Sequence, residues 1–146
     1  MLVKECGHLA VDMEIVCVGN ELLIGKIVNT NASWLAKRAT SLGITVKRIT
    51  VVADVIAEMV AVFCEVLARK PKFLVVTGGL GPTFDDMTLQ GLAKALNRPL
   101  EVNSEALQMV RIRYAAYAKI RNINEAELTP PRVKMAMMPQ GALPIA

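Results

Sequence analysis

The stretch Val75-Val76-Thr77-Gly78-Gly79-Leu80-Gly81-Pro82-Thr83-Phe84-Asp85-Asp86-Met87-Thr88 carries the residue types and spacing most suited to chemistry. Phe73 to Val76 is an apolar run, the mark of a strand covered on both faces. It stops at three glycines within four residues, followed by Pro82. Glycine admits positive φ and lets a ligand approach bare backbone, so such a turn can aim several N–H groups at one anion. Two carboxylates, Asp85 and Asp86, then open an expected helix reaching to about Leu96. Backbone donors for a phosphate beside carboxylates for a cation suit phosphoanhydride chemistry. Aspartate at a helix start also serves as an ordinary cap, and a glycine turn can be purely structural. Thr88 beside the two aspartates tips the balance toward a site.

Positioning those groups needs a scaffold, and the rest of the chain supplies a regular one. Glu14 to Val18 reads as a first strand, ending at Gly19-Asn20-Glu21. Asn29 or Asn31 caps a helix whose stripe is Ala32, Leu35, Ala36, Ala39 and Leu42, and Gly43 ends it. Trp34 sits beside that stripe, at an edge or an interface. Thr45 to Val52 is β-branched and forms a second strand; Asp54 follows as the expected cap of a helix buried through Ile56, Met59, Val60, Phe63 and Leu67. After the glycine turn the helix buries Leu89, Leu92, Ala93 and Leu96 and breaks at Asn97-Arg98-Pro99. Leu100 to Val102 is extended, and Asn103 or Ser104 caps a helix lined by Leu107, Val110, Tyr114 and Tyr117. Residues 119–128 read as loop, and Pro131 to Met137 as a short helix whose methionines 135, 137 and 138 fill core gaps.

Strands alternating with helices at short spacing predict parallel strands joined by crossovers. Ligands in open sheets of that kind bind beyond the carboxyl ends of the strands. Gly19-Asn20-Glu21, Asp54 and the glycine turn each follow a strand, so all lie on one edge. Three of only four aspartates therefore gather there.

Composition narrows the alternatives. The 146 residues allow one domain with a core, preceded by a frayed extension over residues 1–12. The net charge of +4 is scattered and aromatics are few, against a nucleic-acid binder. No apolar run is long enough for a bilayer, so no membrane partner is expected. Cys6, Cys17 and Cys64 are odd in number, with no metal-type spacing; buried free thiols at 17 and 64 fit a reducing cytoplasm. His8 is the only histidine, which removes triads and histidine metal cages. No GxGxxG precedes the first helix, against a dinucleotide oxidoreductase.

Three separated motifs resemble one family: Val18-Gly19-Asn20-Glu21-Leu22-Leu23-Ile24-Gly25, then Ile27-Val28-Asn29-Thr30-Asn31, then Thr77 to Thr83 with Asp85-Asp86-Met87-Thr88. In that order they are similar to the N-terminal domain of the competence/damage-inducible CinA proteins, within the molybdopterin-binding superfamily of MoaB- and MogA-like proteins. The resemblance covers about residues 13–145. It implies a three-layer α/β/α sandwich with a mostly parallel sheet, and a site for a nucleotide or pterin. CinA-type domains imply metal-dependent hydrolysis of ADP-ribose at its pyrophosphate; the MogA-like branch implies adenylylation of molybdopterin. Carried over by motif, Asp86, Asp54 and Glu21 are the expected catalytic residues. Gly19, Asn20, Asn31, Thr77, Gly78, Gly79, Gly81, Pro82, Thr83 and Thr88 are expected to hold the ligand. Asp85 and Asp86 are expected at a divalent cation, Mg²⁺ first and Mn²⁺ or Co²⁺ as alternatives. A homo-oligomer is expected, dimer before trimer. Phe84 stands where the family often has histidine or lysine, and the chain stops where the family continues into a further Gly- and Pro-containing loop. Either the chain is truncated or the site is open on one side; a non-catalytic binding or oligomerisation module is the corresponding alternative.

Overall fold

The computed structural model describes residues 11–122 and 128–145. Cys6, His8 and most of the expected frayed extension lie outside the described residues.

Three parallel strands form the sheet in the order β2-β1-β3: β1 is Asp12–Val18, β2 Thr45–Val52 and β3 Phe73–Thr77. The central strand explains the layering. Successive side chains point to opposite faces of a strand. Ile15 and Cys17 therefore pack on one side with Ala32, Leu35 and Ala36 of α2 (Thr30–Ser41). Val16 and Val18 pack on the other with Met59, Phe63 and Val66 of α3 (Ile56–Arg69), where Leu92 and Ala95 of α4 (Thr88–Ala95) join them. Both faces are covered, and β1 from Ile15 to Val18 is accordingly apolar without alternation. Gly91 lets α4 lie close on α3, since a Cβ there would sit 3.1 Å from the Met59 Cβ.

The helix ends follow the local chemistry. The Asn29 side chain accepts the Ala32 N–H at 3.0 Å and caps α2, and the Ile44 N–H returns to the Ala39 carbonyl behind Gly43. Asn103 caps α5 (Ser104–Arg121) by accepting from the Ala106 N–H at 2.9 Å. Beyond α4, β4 (Leu100–Val102) pairs antiparallel with β5 (Met137–Pro139), and α6 (Pro130–Lys134) precedes β5.

Several expectations need correction. β1 begins at Asp12, before the expected start: the Asp12 carboxylate accepts the Lys72 N–H at 2.8 Å and the Thr45 N–H reaches the Val11 carbonyl at 2.9 Å. Residues 20–23 form a short helix, α1 (Asn20–Leu23). Asp54 does not cap α3; Val55 precedes that helix without a side-chain cap bond. Helix α4 starts at Thr88, three residues after Asp85. Residues 119–121 continue α5, and residues 123–127 of the expected loop lie outside the described residues. α6 ends at Lys134, and Met137, expected as its last residue, opens β5. Met135 is exposed while Met137 and Met138 are half-buried. Cys17 is buried as expected, but Cys64 is exposed, because it lies off the α3 stripe of Met59, Phe63 and Val66. Trp34 is 65% exposed, and the α5 face is covered mainly through Ala106 and Ala118.

One charged pair sits at the opposite end of the sheet from the strands' carboxyl edge. Arg69 donates from Nε and Nη2 to both oxygens of the buried Glu14, at 2.8 and 2.7 Å. The Arg69 bonds hold the Glu14 carboxyl below its ordinary 4.5, against the opposing effect of burial; Arg48 adds to the lowering and Asp12 opposes it. Because the folded value is depressed, this stabilisation is fully present above about pH 4.5 and is lost as pH falls through the folded value. Glu14→Gln should therefore be clearly less stable than the parent at pH 7, and that gap should be narrower at pH 3. Urea unfolding of both proteins at the two pH values checks this; a gap independent of pH removes the pair as its cause.

Candidate functional site

The parallel order β2-β1-β3 sets three loops side by side at the carboxyl edge. The Gly19 N–H donates to the Val52 carbonyl at 3.0 Å, joining the first loop to the second. The Asn20 N–H donates to Asp54 Oδ2 at 2.8 Å, and the Asp54 N–H returns to Asn20 Oδ1 at 3.3 Å. This reciprocal pair is why Asp54 caps no helix: its carboxylate turns back to the neighbouring loop. Its other oxygen faces the glycine turn, 3.6 Å from where a Cβ on Gly79 would be.

The turn itself is held from behind. Gly78 and Gly79 have φ of 92° and 58°, the left-handed region. The Thr88 hydroxyl donates to the Gly78 carbonyl at 2.8 Å, and the Thr88 N–H donates to the Gly79 carbonyl at 3.2 Å. In a trans peptide the carbonyl and the following N–H point oppositely. With both carbonyls drawn back to α4, the N–H groups of Gly79 and Leu80 face away from the helix. Thr88, only 1% exposed, thus shapes the turn from behind instead of lining the ligand side expected of it.

Asp86 closes the loop that follows. Its Oδ2 accepts the Thr83 N–H at 2.9 Å and a short bond from the Thr83 hydroxyl. The Thr83 hydroxyl does most to hold this carboxyl below its ordinary value; partial burial opposes, and the Gly81 and Thr83 N–H groups and the Lys134 charge assist. Asp86 is therefore an ionised carboxylate, suited to attracting a cation or a donor and unsuited to giving up a proton near neutral pH. Lys134 of α6 donates to the Thr83 carbonyl from 51 residues away.

Two clefts flank the turn. The smaller, about 80 Å³, is lined by Val18, Glu21, Asn31, Thr77 and Gly78. Glu21 folds its carboxylate back over Gly19, 2.7 Å from where a Cβ on that glycine would be, and Asn31 Nδ2 donates to Thr77 Oγ1 at 3.2 Å. The larger, about 290 Å³, is lined by Gly79, Leu80, Gly81, Asp86, Leu89, Gln90, Leu100, Lys134 and Met137.

The edge thus gathers Gly19, Asn20, Glu21, Asn31, Asp54, Thr77, Gly78, Gly79, Gly81 and Asp86. Pro82 and Thr83 shape the loop that presents Asp86. Asp85 is exposed, and neither it nor Asp86 opens α4. Among the described residues no three His, Cys, Asp or Glu groups converge to hold a metal ion. The expected Asp85–Asp86 pair is not a preformed cation cage; it offers at most one or two carboxylate ligands, the number Mg²⁺ commonly takes when phosphates supply the rest. Lys134 and Gln90 are lining residues that no sequence pattern marks. Among the described residues no helix is long and apolar enough to cross a membrane.

An open parallel sheet with helices on both faces and polar groups gathered at its carboxyl edge defines an α/β domain of the doubly covered class. Residues 14–145 match the family model described as a probable molybdopterin binding domain. The chain belongs to this family of MoaB/MogA-like domains. It is 39% identical to CinA of Thermoplasma acidophilum, a protein described as of unknown function, with a TM-score of 0.78 over 94% of this chain and 75% of that one. Tungsten cofactor synthesizing protein MoaB of Pyrococcus furiosus shares the fold at a TM-score of 0.57 and 14% identity, over 87% of this chain and 88% of that one. A protein of Sulfurisphaera tokodaii is 52% identical and one of Saccharolobus islandicus 54% identical, each over 90% of this chain and 48% of the relative. The chain spans about half the length of these two relatives.

Proposed function

We propose that this domain binds a phosphorylated nucleotide or pterin across the glycine turn and hydrolyses ADP-ribose-like pyrophosphates with a divalent cation. The observation that carries the reading is the glycine turn with both carbonyls tied back by Thr88, set between the Asp54 and Asp86 carboxylates. The outward N–H groups of Gly79 and Leu80 hold the diphosphate, and the ionised Asp86 marks where positive charge is wanted. Asp54 or Glu21 takes the proton of the attacking water as its oxygen bonds to phosphorus. The P–O–P linkage then breaks to give AMP and ribose 5-phosphate. Mg²⁺, or Mn²⁺ or Co²⁺, when carried in on the phosphates, would withdraw charge from their oxygens.

A second reading, binding of molybdopterin or a nucleotide without turnover, is favoured by one observation: Asp86 already spends Oδ2 on Thr83. Incubation of the purified chain with ADP-ribose and each cation, followed by chromatography, separates the two. AMP and ribose 5-phosphate in equal amounts support hydrolysis. Ligand-dependent stabilisation without products supports the second reading, and neither effect overturns both.

The exposed apolar run Leu23, Ile24, Ile27, Val28 and Trp34 supports a homo-oligomer, dimer first and trimer second. Equilibrium sedimentation at tens of micromolar should give a multiple of the 15.8 kDa chain mass; a monomer there removes the proposal.

A further inference from the structure

We propose that the outer face of α5 docks an acidic amphipathic helix of a partner protein. Charge is the first observation. Residues 11–105 hold Lys and Arg in numbers equal to Asp and Glu, so that part of the chain is neutral overall. Contrary to the scatter expected, the positive excess of the described residues lies in Arg111, Arg113, Lys119, Arg121, Arg132 and Lys134. Residues 106–122 and 128–145 contain no carboxylate side chain, and the acid that α5 does carry, Glu105, stands in its first turn. Glu125 and Glu127 lie outside the described residues.

The second observation is what those cations surround. Side chains four residues apart share one side of a helix. Ile112, Ala116 and Ile120 therefore form a stripe, and it faces solvent: the two isoleucines are 58% and 82% exposed. Arg111 and Lys119 run along one flank of the stripe, Arg113 and Arg121 along the other, all exposed. The Arg121 guanidinium lies 5.4 Å over the Tyr117 ring, and that of Arg132 in α6 lies 4.1 Å over the Tyr114 ring, which brings a further cation to that flank. Large, small, large along the stripe leaves a dip at Ala116, about 6 Å along the axis from each isoleucine. One bulky side chain of a facing helix seats in such a dip, as the ridges of one helix pack into the grooves of another. Carboxylates on either side of that side chain then meet the flanking cations. The occupant is not the α5 of a second copy, which would set cation against cation. Nucleic acid fits less well, because each tyrosine ring already carries a guanidinium on one face, and a bilayer gains nothing from the dip.

The test is fluorescence anisotropy of the full chain at low salt against three labelled synthetic peptides. The first is a helix with a leucine stripe flanked by glutamate, the second has the same stripe flanked by lysine, and the third is polyglutamate of equal length. Wild type should bind the first at least about 10-fold more tightly than either of the others. Arg113→Glu combined with Arg121→Glu should reverse the preference and take the lysine-flanked helix, a gain that a misfolded chain could not show. Ala116→Phe should weaken the first peptide about 10-fold by filling the dip, and leave polyglutamate within about twofold. None of the substituted residues lines either cleft at the sheet edge, so the outcome is independent of ligand binding there. Failure of wild type to bind the glutamate-flanked helix overturns the proposal, as does polyglutamate binding equally well. Phosphatidylglycerol vesicles or a single-stranded oligonucleotide that displace the first peptide, and bind wild type and Ala116→Phe alike, would make the face a general polyanion surface and overturn it too.

Discussion

Gly78→Ala should destabilise the fold by about 2–5 kcal/mol and abolish ligand binding with it. Two causes add. The residue has φ 92°, where an L side chain is strained by about 1–2 kcal/mol. A Cβ would also overlap the carbonyl oxygen of Val18, the last residue of the central strand, and come within 3.0 Å of its carbon. That neighbour is backbone inside the sheet, so it cannot turn aside as a long side chain would, and overpacking of this kind costs typically about 1–3 kcal/mol. Gly43→Ala is the control: φ there is 76°, but nothing lies within 4 Å of the added Cβ, so only the conformational cost remains. Urea unfolding of both variants should show Gly78→Ala losing clearly more. Losses within about 0.5 kcal/mol of each other would mean the turn relaxes around the added methyl.

Asp86→Asn should lower ADP-ribose turnover by about 10²–10³-fold while the chain stays folded, the usual loss when a preorganised charge-stabilising group is removed. An asparagine oxygen can still accept the Thr83 N–H and hydroxyl, so the loop keeps its shape and loses charge-assisted strength of about 1 kcal/mol. Because the Asp86 carboxyl is held below its ordinary value of 3.8, turnover lost between pH 7 and pH 5 should come from another group. Asp54→Asn should be milder, since its amide oxygen can keep the Asn20 N–H bond. Product release measured at saturating ADP-ribose decides: a rate for Asp86→Asn within twofold of wild type removes Asp86 from the reaction.

The sheet was legible wherever burial was two-sided. Ile15 to Val18 read as a strand because both faces need apolar side chains, and Gly43 read as a helix end because its conformation demands it. The edge was legible for the same reason: parallel strands must deliver their carboxyl ends together, so Asn20, Asp54 and Gly78 had to be neighbours. What failed were the local assignments of polar side chains. Aspartate before a helix looks like a cap, yet Asp54 bonds to Asn20 across 34 residues and Asp86 bonds back to Thr83. A tertiary partner at Asp54 and a local loop partner at Asp86 outcompeted the helix N-terminus. Three-residue β5 carries no periodic signal and exists through its pairing with β4, and Lys134 reaches the site only because that pairing brings α6 alongside.

The reciprocal bonds between Asn20 and Asp54 make the two loops thermodynamically linked. A ligand that draws the Asp54 carboxylate away from the Asn20 N–H breaks that bond, and with it loosens the start of the four-residue helix α1. Its apparent affinity is then reduced by the free energy of that bond, on the order of 1.5–3 kcal/mol for a charged acceptor. By reciprocity, anything that stabilises α1 in its present place weakens such a ligand by the same factor. Occupancy at the glycine turn and order in the exposed apolar segment around Leu23 and Ile24 are in that case two readings of one equilibrium.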